Sequence, residues 1–203
     1  MSGSITGVVL AAGAAERMGT PKLLLPLHDR TVLNATLAAV EASRVDRVIV
    51  VTGANYEVVE ASILAVRATI VRNPDYRRGN MSSFVTATST DPDADAFVLV
   101  AGDQPTTGAD VIDAMVHLWN ESHPWAAATE YDDRTTNPFL ISRAALNEAT
   151  QMPGEKVLGR LVVEGNDERV VRLRVAGSSP RDVNTPEDYE SLLSDEGLEP
   201  TNG

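Results

Sequence analysis

The start of the chain joins a short apolar run to a loop of small residues and cations. The run from Ile5 to Leu10 predicts a buried strand, and the small residues and Gly13 that follow let the backbone turn sharply and expose its N–H groups. Arg17 and Lys22 are spaced so that both side chains could fold back over this turn. Because exposed amides and cations together bind phosphate oxygens, the stretch predicts a polyphosphate pocket at the end of the first strand.

This loop does not follow the common phosphate-binding patterns. Thr20 and Pro21 separate Gly19 from Lys22, which departs from the spacing G-x-x-x-x-G-K-[ST], and the glycines do not fit G-x-G-x-x-G. An ordinary strand, a glycine turn and two surface cations would also account for these residues. The complete string from Leu10 to Lys22 favours the phosphate-binding interpretation.

Further apolar runs alternate with amphipathic segments along the chain. The next predicted strands are Val48–Val51, Ala68–Val71 and Ala96–Val100. Each of these early strands precedes a predicted helix, which is typical of a sheet covered by helices on both faces. We therefore predict an α/β protein of three layers, α/β/α, with a mostly parallel sheet. A single domain over residues 1–195 and a disordered tail over 196–203 complete this prediction.

Composition limits the classes of partner and chemistry. The chain has 203 residues and a net charge of −12, which argues against binding nucleic acid, because such proteins present basic surfaces. It contains no cysteine, so thiolate nucleophiles, disulfides and cysteine metal sites are excluded. No apolar run approaches the roughly 20 residues that span a bilayer, and no basic signal-peptide start is present. We expect no membrane partner and a cytoplasmic location.

Two polar positions are candidate metal ligands. Asp103 ends the run Ala96–Val100 within Gly-Asp-Gln-Pro, and the carboxyl end of a central strand is where α/β sheets place ligands. A turn or helix cap is the ordinary alternative for such an aspartate. Asn184 precedes Thr185, which with Asp188 forms a capping-box pattern that leaves Asn184 itself unexplained.

The loop residues Leu-Ala-Ala-Gly-x-x-x-Arg-Met-Gly-x-Pro-Lys resemble the signature of the nucleotidyltransferases related to molybdopterin guanylyl- and cytidylyltransferases. The resemblance implies a Rossmann-like nucleotidyltransferase fold whose loop wraps the triphosphate of an NTP. It implies that Arg17, Lys22 and Asp103 are catalytic and that Asp103 and Asn184 bind Mg²⁺. The residues expected to bind the nucleotide are Leu10, Ala11, Ala12, Gly13, Arg17, Lys22, Gly79, Ser82 and Ser83.

The last three of these residues belong to a polar loop that the resemblance places beside the nucleobase. The ordinary alternative is a loop in which a serine caps the following helix. Ala12, where guanylyl relatives have glycine, favours CTP. The implied reaction moves a nucleotidyl group to a phosphorylated acceptor, molybdopterin above all, and releases pyrophosphate. Implied partners are the NTP, the pterin cofactor and a molybdoenzyme that receives it; the protein itself is expected to be a monomer or dimer.

Two segments depart from the family pattern on the acceptor side. Thr136-Asn137-Pro138 stands where close relatives have Gly-His-Pro, and residues 154–160 replace Gly-Asp-x-Gly-Ala-Arg. These departures leave open a second reading, an NAD(P)H-dependent reductase of a small aromatic pigment, recruited from the same fold. A binding protein without catalysis is a third reading. The cytidylyltransferase of isoprenoid synthesis is disfavoured, because its His-Asp-x-x-Arg-Pro strand end is absent here.

Overall fold

The computed structural model describes residues 3–14, 18–152, 157–164 and 167–199. The strands in this part of the chain are β1 Ile5–Ala11, β2 Pro26–Leu27, β3 Arg30–Thr31, β4 Arg47–Thr52, β5 Ala68–Arg72, β6 Ala96–Ala101, β7 Ala126–Glu130, β8 Thr135–Ser142 and β9 Val170–Arg174. The helices are α1 Val32–Ala42, α2 Tyr56–Ser62, α3 Asn80–Thr90, α4 Ala109–Ser122, α5 Arg143–Ala149, α6 Val157–Gly159 and α7 Pro186–Asp195. Short 3₁₀ turns cover Lys22–Leu24 and Tyr76–Arg78, and a π-helical turn, Arg160–Glu164, continues α6.

Seven of the strands in the described ranges form one sheet, in the order β5-β4-β1-β6-β8-β7-β9. β1 lies between β4 and β6 and is parallel to both, and β4 is parallel to β5. β8 is antiparallel to both of its neighbours, and β9 is parallel to β7. The sheet is therefore mostly parallel, with one strand reversed, and β2 and β3 form a separate small hairpin.

Helices cover both faces of the sheet. One face packs against α1, α2 and α4 through a cluster that includes Leu37, Val59 and Met115. The other face packs against α3, α5 and α6 through a cluster that includes Phe84 and Leu146. The predicted three-layer α/β/α fold with a mostly parallel sheet is confirmed. None of the described helices has both the length and the apolar character needed to cross a bilayer.

The helix after β4 is shorter than the sequence pattern indicates. Apolar spacing predicts a helix from Tyr56 to Val66, whereas α2 ends at Ser62 and Ile63 is extended. The side chain of Asn34 in α1 explains this end: its amide donates to the carbonyl of Ser62, and its oxygen accepts from the backbone N–H of Leu64. These tertiary bonds replace the intrahelical ones that another turn would need.

α7 packs the end of the described chain against α1 and the small hairpin of β2 and β3. Thr185 accepts a hydrogen bond from the N–H of Asp188, and the carboxylate of Asp188 accepts from the N–H of Thr185, which confirms the capping box. Leu192 and Leu193 bury this helix against Val32 of α1. Asn184 is thereby held just before the helix. Residues 200–203 lie outside the described ranges, so the predicted tail stays a prediction.

Candidate active site

A cleft of about 600 Å³ lies at the carboxyl edge of the sheet. It lies where β1 and β6 end and where the reversed strand β8 begins. Of the residues proposed from the sequence, those that line the cleft are Leu10, Ala12, Gly13, Lys22, Gly79, Ser83, Asp103 and Asn184. Positions far apart in sequence therefore converge on one concave surface, in the place where α/β sheets bind ligands.

Lys22 connects the two candidate metal ligands. Its ammonium donates a hydrogen bond to Oδ2 of Asp103 and another to Oδ1 of Asn184, at 2.9 Å. The side chains of Lys22 and Asp103 are mostly buried, being 12% and 20% exposed. Three segments of the chain, the loop after β1, the end of β6 and the residues before α7, thus meet at one charged centre.

A second set of hydrogen bonds holds the segment of Asp103 next to the segment of Asn184. The N–H of Val183 donates to the carbonyl of Asp103 at 3.0 Å. The fully buried amide of Gln104 donates to Oδ1 of Asp182 at 2.7 Å, and Arg134 donates to Oδ2 of Asp182 at 2.9 Å. The sequence analysis assigned no role to Asp182 or to Gln104.

The loop after β1 has room beside its glycine. A Cβ added at Gly13 would meet no described atom within 4 Å, so this position faces open space in the cleft. Ala12 is 6% exposed, and its carbonyl accepts from the N–H of Ala54 at 3.1 Å. Ala11 does not line the cleft, because it is buried in the core beneath α1. Arg17 lies outside the described residues, and its predicted phosphate contact stays a prediction.

The predicted nucleobase loop contains a buried residue, Asn73, that makes several hydrogen bonds. The amide of Asn73 donates to Oγ of Ser82 and Oγ of Ser83, at 3.0 and 2.9 Å. The Asn73 side-chain oxygen accepts from the N–H of Asp75, and its own N–H bonds the end of β4. Ser83 lines the cleft, whereas Ser82 does not and instead donates to the carbonyl of Gly79 at 2.8 Å. Ser82 is the third residue of α3, and the N-cap is Gly79 without a side-chain bond, so the alternative in which a serine caps this helix is wrong.

The opposite side of the cleft is formed by β8 and the helical turn after α6. β8 is antiparallel to β6, with Phe139 opposite Leu99, so the beginning of β8 lies beside the end of β6. Further lining residues on this side are Asn137, Leu158, Gly159 and Glu164. Both segments that depart from the family pattern thus contribute to this wall, although 154–156 lie outside the described ranges. The sequence analysis did not predict the helical turn itself.

The sequence analysis also missed residues that line the cleft beside the predicted nucleobase loop. Tyr76 lines the cleft from the polar loop, and Asn80 and Met81 line it from the first turn of α3. Tyr76 lies in a 3₁₀ turn, and a Cβ on Gly53 would approach the Cβ of Tyr76 to 2.7 Å. An aromatic residue in a polar loop was the available signal for this position.

The donor set fits a divalent cation that is shared with substrate phosphates. No group of three or more acidic or histidine side chains that could hold a metal occurs among the described residues. Asp103 and Asn184 nevertheless present one oxygen each to a single positive charge, the ammonium of Lys22. Mg²⁺ is commonly bound by one or two carboxylates with phosphates and water completing its shell. These two residues could hold it in that way.

The hairpin loop between β7 and β8 contains two groups with shifted pKa values. Burial raises the pKa of Tyr131 to about 12, and the charges of Asp110 and Asp133 contribute to the same shift. Hydrogen bonds from the hydroxyl and the N–H of Ser179 lower the pKa of Asp133. Neither Tyr131 nor Asp133 lines the cleft, so these shifts belong to the structure around it.

With a nucleotide-sized cleft, an open glycine loop and a Lys-Asp-Asn centre, the site has the features of an NTP-binding enzyme. A protein-family model described as a MobA-like NTP transferase domain matches residues 7–170. The protein therefore belongs to the MobA-like NTP transferase family of nucleotidyltransferases.

Individual proteins are similar to this one in sequence or structure over most of the chain. The molybdenum cofactor cytidylyltransferase of Escherichia coli K12 is 28% identical over 187 residues, which cover 92% of this chain and 94% of that protein. The crystal structure of Rv0371c from Mycobacterium tuberculosis H37Rv has a TM-score of 0.86 and 32% identity, covering 96% of this chain and 100% of that one. A complex of Rv0371c with manganese has a TM-score of 0.78 and 31% identity, covering 94% and 98%.

Proposed function

We propose that the protein transfers the cytidylyl group of CTP to a phosphate of molybdopterin and releases pyrophosphate. The observation that carries this proposal is the meeting of Lys22, Asp103 and Asn184 at one end of the open space beside Gly13. A cation, two oxygen ligands and room for phosphates are what phosphoryl-type transfer requires, since it depends on positioning and charge neutralisation.

In the proposed reaction, a phosphate oxygen of the acceptor attacks the α-phosphorus of CTP. The bond from that phosphorus to the bridging oxygen breaks, and pyrophosphate leaves with the electron pair. Lys22 and Arg17 neutralise the negative charge of the β- and γ-phosphates and of the leaving group. Asp103 and Asn184 would hold Mg²⁺, which would supply positive charge that neutralises the phosphates during transfer. The manganese complex of the relative Rv0371c supports a divalent cation.

The choice of CTP rests on the nucleobase side of the cleft. The methyl group of Ala12 lies between the cleft and Gly53, on which a Cβ would approach that of Ala12 to 2.8 Å. Ala12 lines the cleft, so its methyl group occupies space that a glycine at this position would leave empty. A narrower pocket suits a pyrimidine better than a purine. The name of the Escherichia coli relative, a cytidylyltransferase, is consistent with this choice.

The choice of a pterin acceptor rests on the wall formed by β8 and the helical turn. Phe139 and Leu158 give this wall an apolar surface, and Asn137 and Glu164 add an amide and a carboxylate. A flat ring system with hydrogen-bond donors at its edge, as in a pterin, suits apolar contacts together with polar acceptors. The product would then pass to a molybdoenzyme. The reductase reading is not supported by the family match and is not proposed.

The test is a transfer assay with the purified protein. Each of CTP, GTP and ATP is incubated with Mg²⁺, with and without molybdopterin, and pyrophosphate release and product mass are measured. We expect acceptor-dependent pyrophosphate from CTP and a product that has gained one cytidylyl group. NADH and NADPH with a pigment acceptor form the comparison arm. Failure of CTP and molybdopterin to react would overturn the proposed substrates.

A further inference from the structure

We infer that the ammonium of Lys22 is a resident cation at the divalent-metal position and that Lys22 must leave this position when the metal binds. This inference rests on the proposed function only for the identity of the metal position. It concerns how the same centre is regulated before substrate arrives. Its consequence is that metal binding and the release of Lys22 towards the nucleotide are a single coupled event.

The contacts of Lys22 are the first support. In the described chain, the Lys22 ammonium bonds the same two oxygens, Oδ2 of Asp103 and Oδ1 of Asn184, that are proposed as metal ligands. The structure gives the Asp103 carboxylate no other side-chain partner among the described residues. The charge that balances Asp103 therefore comes from Lys22 alone in this part of the chain.

Electrostatics supply the second support. Two positive charges a few ångströms apart repel strongly, and both side chains at this centre are mostly shielded from water. A divalent cation that approaches Asp103 and Asn184 therefore competes with Lys22 for them. Without another anion nearby, displacing Lys22 removes its ion pair and leaves its charge unbalanced. Metal alone should consequently bind weakly.

The position of Lys22 supplies the third support. Lys22 begins a 3₁₀ turn and lines the same cleft as Gly13, beside which there is open space. A lysine side chain has a flexible four-carbon stem, so its ammonium can change partners without movement of the backbone. Phosphates placed beside Gly13 would give the displaced ammonium a new partner. Nucleotide therefore makes the metal position available, and metal and nucleotide bind cooperatively.

The test measures metal binding rather than activity. Free Mn²⁺ is titrated with wild-type protein and with Lys22→Met, without nucleotide, and the unbound ion is followed by electron paramagnetic resonance. We expect Lys22→Met to bind Mn²⁺ about tenfold more tightly than wild type, because a competing positive charge has been removed. Adding CTP should tighten Mn²⁺ binding markedly in the wild type and much less in the variant.

Two control variants separate this effect from general changes of charge. Lys22→Arg retains a cation at the centre and should keep Mn²⁺ binding weak. Arg44→Met removes an exposed cation that pairs with Asp113 outside the cleft, and it should leave Mn²⁺ affinity unchanged. If Lys22→Met is unfolded by circular dichroism, Lys22→Gln replaces it.

The outcomes distinguish the inference from the proposed function. The inference is that the metal replaces the Lys22 ammonium at Asp103 and Asn184. If Lys22→Met binds Mn²⁺ no more tightly than wild type, this exchange is overturned, even if the protein transfers cytidylyl groups. Tighter binding would support the exchange even if molybdopterin proves to be the wrong acceptor. Equal tightening by Arg44→Met would also overturn it, because the effect would then be one of net charge.

Discussion

Lys22 and Asp103 form an ion pair at the cleft, although they lie 81 positions apart in the sequence. The pair joins the loop after β1 to the end of β6, and Asn184 joins it from the segment before α7. Each of these residues was expected to act on the nucleotide or the metal. The first four of the predictions below concern the cleft that this pair occupies, and the last two concern tyrosines outside it.

Replacement of Asp103 by asparagine should abolish transfer and leave the fold intact. The substitution removes the charge that would hold the metal, so we expect kcat to fall about a thousandfold or more. The variant loses the ion pair between Asp103 and Lys22, which is mostly buried, so it should remain folded but melt at a lower temperature. Asp93→Asn, an exposed site outside the cleft, is the matched control. Near-normal turnover of Asp103→Asn would contradict the assignment.

Two glycines beside the cleft should respond differently to an added side chain. Gly13→Val should fold normally and weaken CTP binding at least about tenfold, because its side chain fills space that the phosphates need. Gly53→Ala places a Cβ 2.8 Å from the carbonyl oxygen of Ala12, which should destabilise the fold by about 1–3 kcal/mol. Thermal melts and CTP titrations of both variants check this. Unchanged CTP affinity in Gly13→Val would make the loop purely structural.

Ala12→Gly should shift the choice of base. One methyl group is worth about 1–3 kcal/mol of discrimination, or roughly 10–200-fold. We expect wild type to prefer CTP over GTP by that margin and the variant to narrow or reverse the preference. The measurement is kcat/KM for both nucleotides with molybdopterin as acceptor. An unchanged ratio would show that Ala12 does not select the base.

Gln104→Met should impair metal use more than nucleotide binding. The variant loses the bond to Asp182 that keeps the segment of Asn184 against Asp103. Gln104 Oε1 has no partner among the described residues, so replacing this amide by a thioether of similar shape removes one unsatisfied group as well as one bond. The Mn²⁺ concentration for half-maximal activity should rise about tenfold, with KM for CTP nearly unchanged. An equal rise in both constants would indicate a general structural defect instead.

Two tyrosines should contribute to stability with opposite signs. The buried hydroxyl of Tyr131 has no partner among the described residues, so Tyr131→Phe should leave stability unchanged or raise it by about 1 kcal/mol. The hydroxyl of Tyr189 donates to the carbonyl of Pro26 at 2.5 Å, so Tyr189→Phe should lower stability by about 1 kcal/mol. Urea unfolding of both variants checks the difference. A clear loss of stability in Tyr131→Phe would reveal a missing partner.

Stability at alkaline pH should depend in part on the ionisation of Tyr131. The folded pKa of Tyr131 is about 12, above the ordinary value of 10.0, so folding disfavours its phenolate. The contribution of the Tyr131 hydroxyl to the free energy of unfolding is therefore intact below pH 10. It is lost as the pH rises from about 10 to about 12. Wild type should lose more stability over that range than Tyr131→Phe. Parallel pH profiles of the two proteins would contradict the burial of this hydroxyl.

The sequence predicted the sheet well because its central strands are continuous apolar runs. Val48–Val51 and Ala96–Val100 lie inside β4 and β6. A short, continuous apolar run is typical of a strand that is buried on both faces of a sheet, so these two segments could be assigned as strands. The end of α2 was wrong by four residues, since Asn34 of another helix determines it. Apolar spacing carries no information about such a tertiary bond.

In the site, too, local sequence patterns could be predicted and tertiary contacts could not. Local motifs identified Lys22 and Asp103 as candidates, and the structure brings both to one cleft. Their ion pair and the bond from Gln104 to Asp182 join residues 81 and 78 positions apart, which no local pattern indicates. Asn73 was missed for another reason: a polar residue in a loop looks exposed, yet it is 2% exposed beneath the start of α3.

The reversed direction of β8 has a consequence for how the two walls of the cleft can vary. A parallel strand of eight residues in this position would begin about 25 Å away, at the far edge of the sheet. Because β8 is antiparallel, the beginning of this second strand of the β7–β8 hairpin, with Asn137 and Phe139, lines the cleft instead. The wall that we propose faces the acceptor is therefore encoded largely after residue 130, whereas the loop that we propose binds the phosphates of the nucleotide follows β1. New acceptors could be accommodated by exchanging this hairpin and the turn after α6, while the Lys22–Asp103 centre stays as it is.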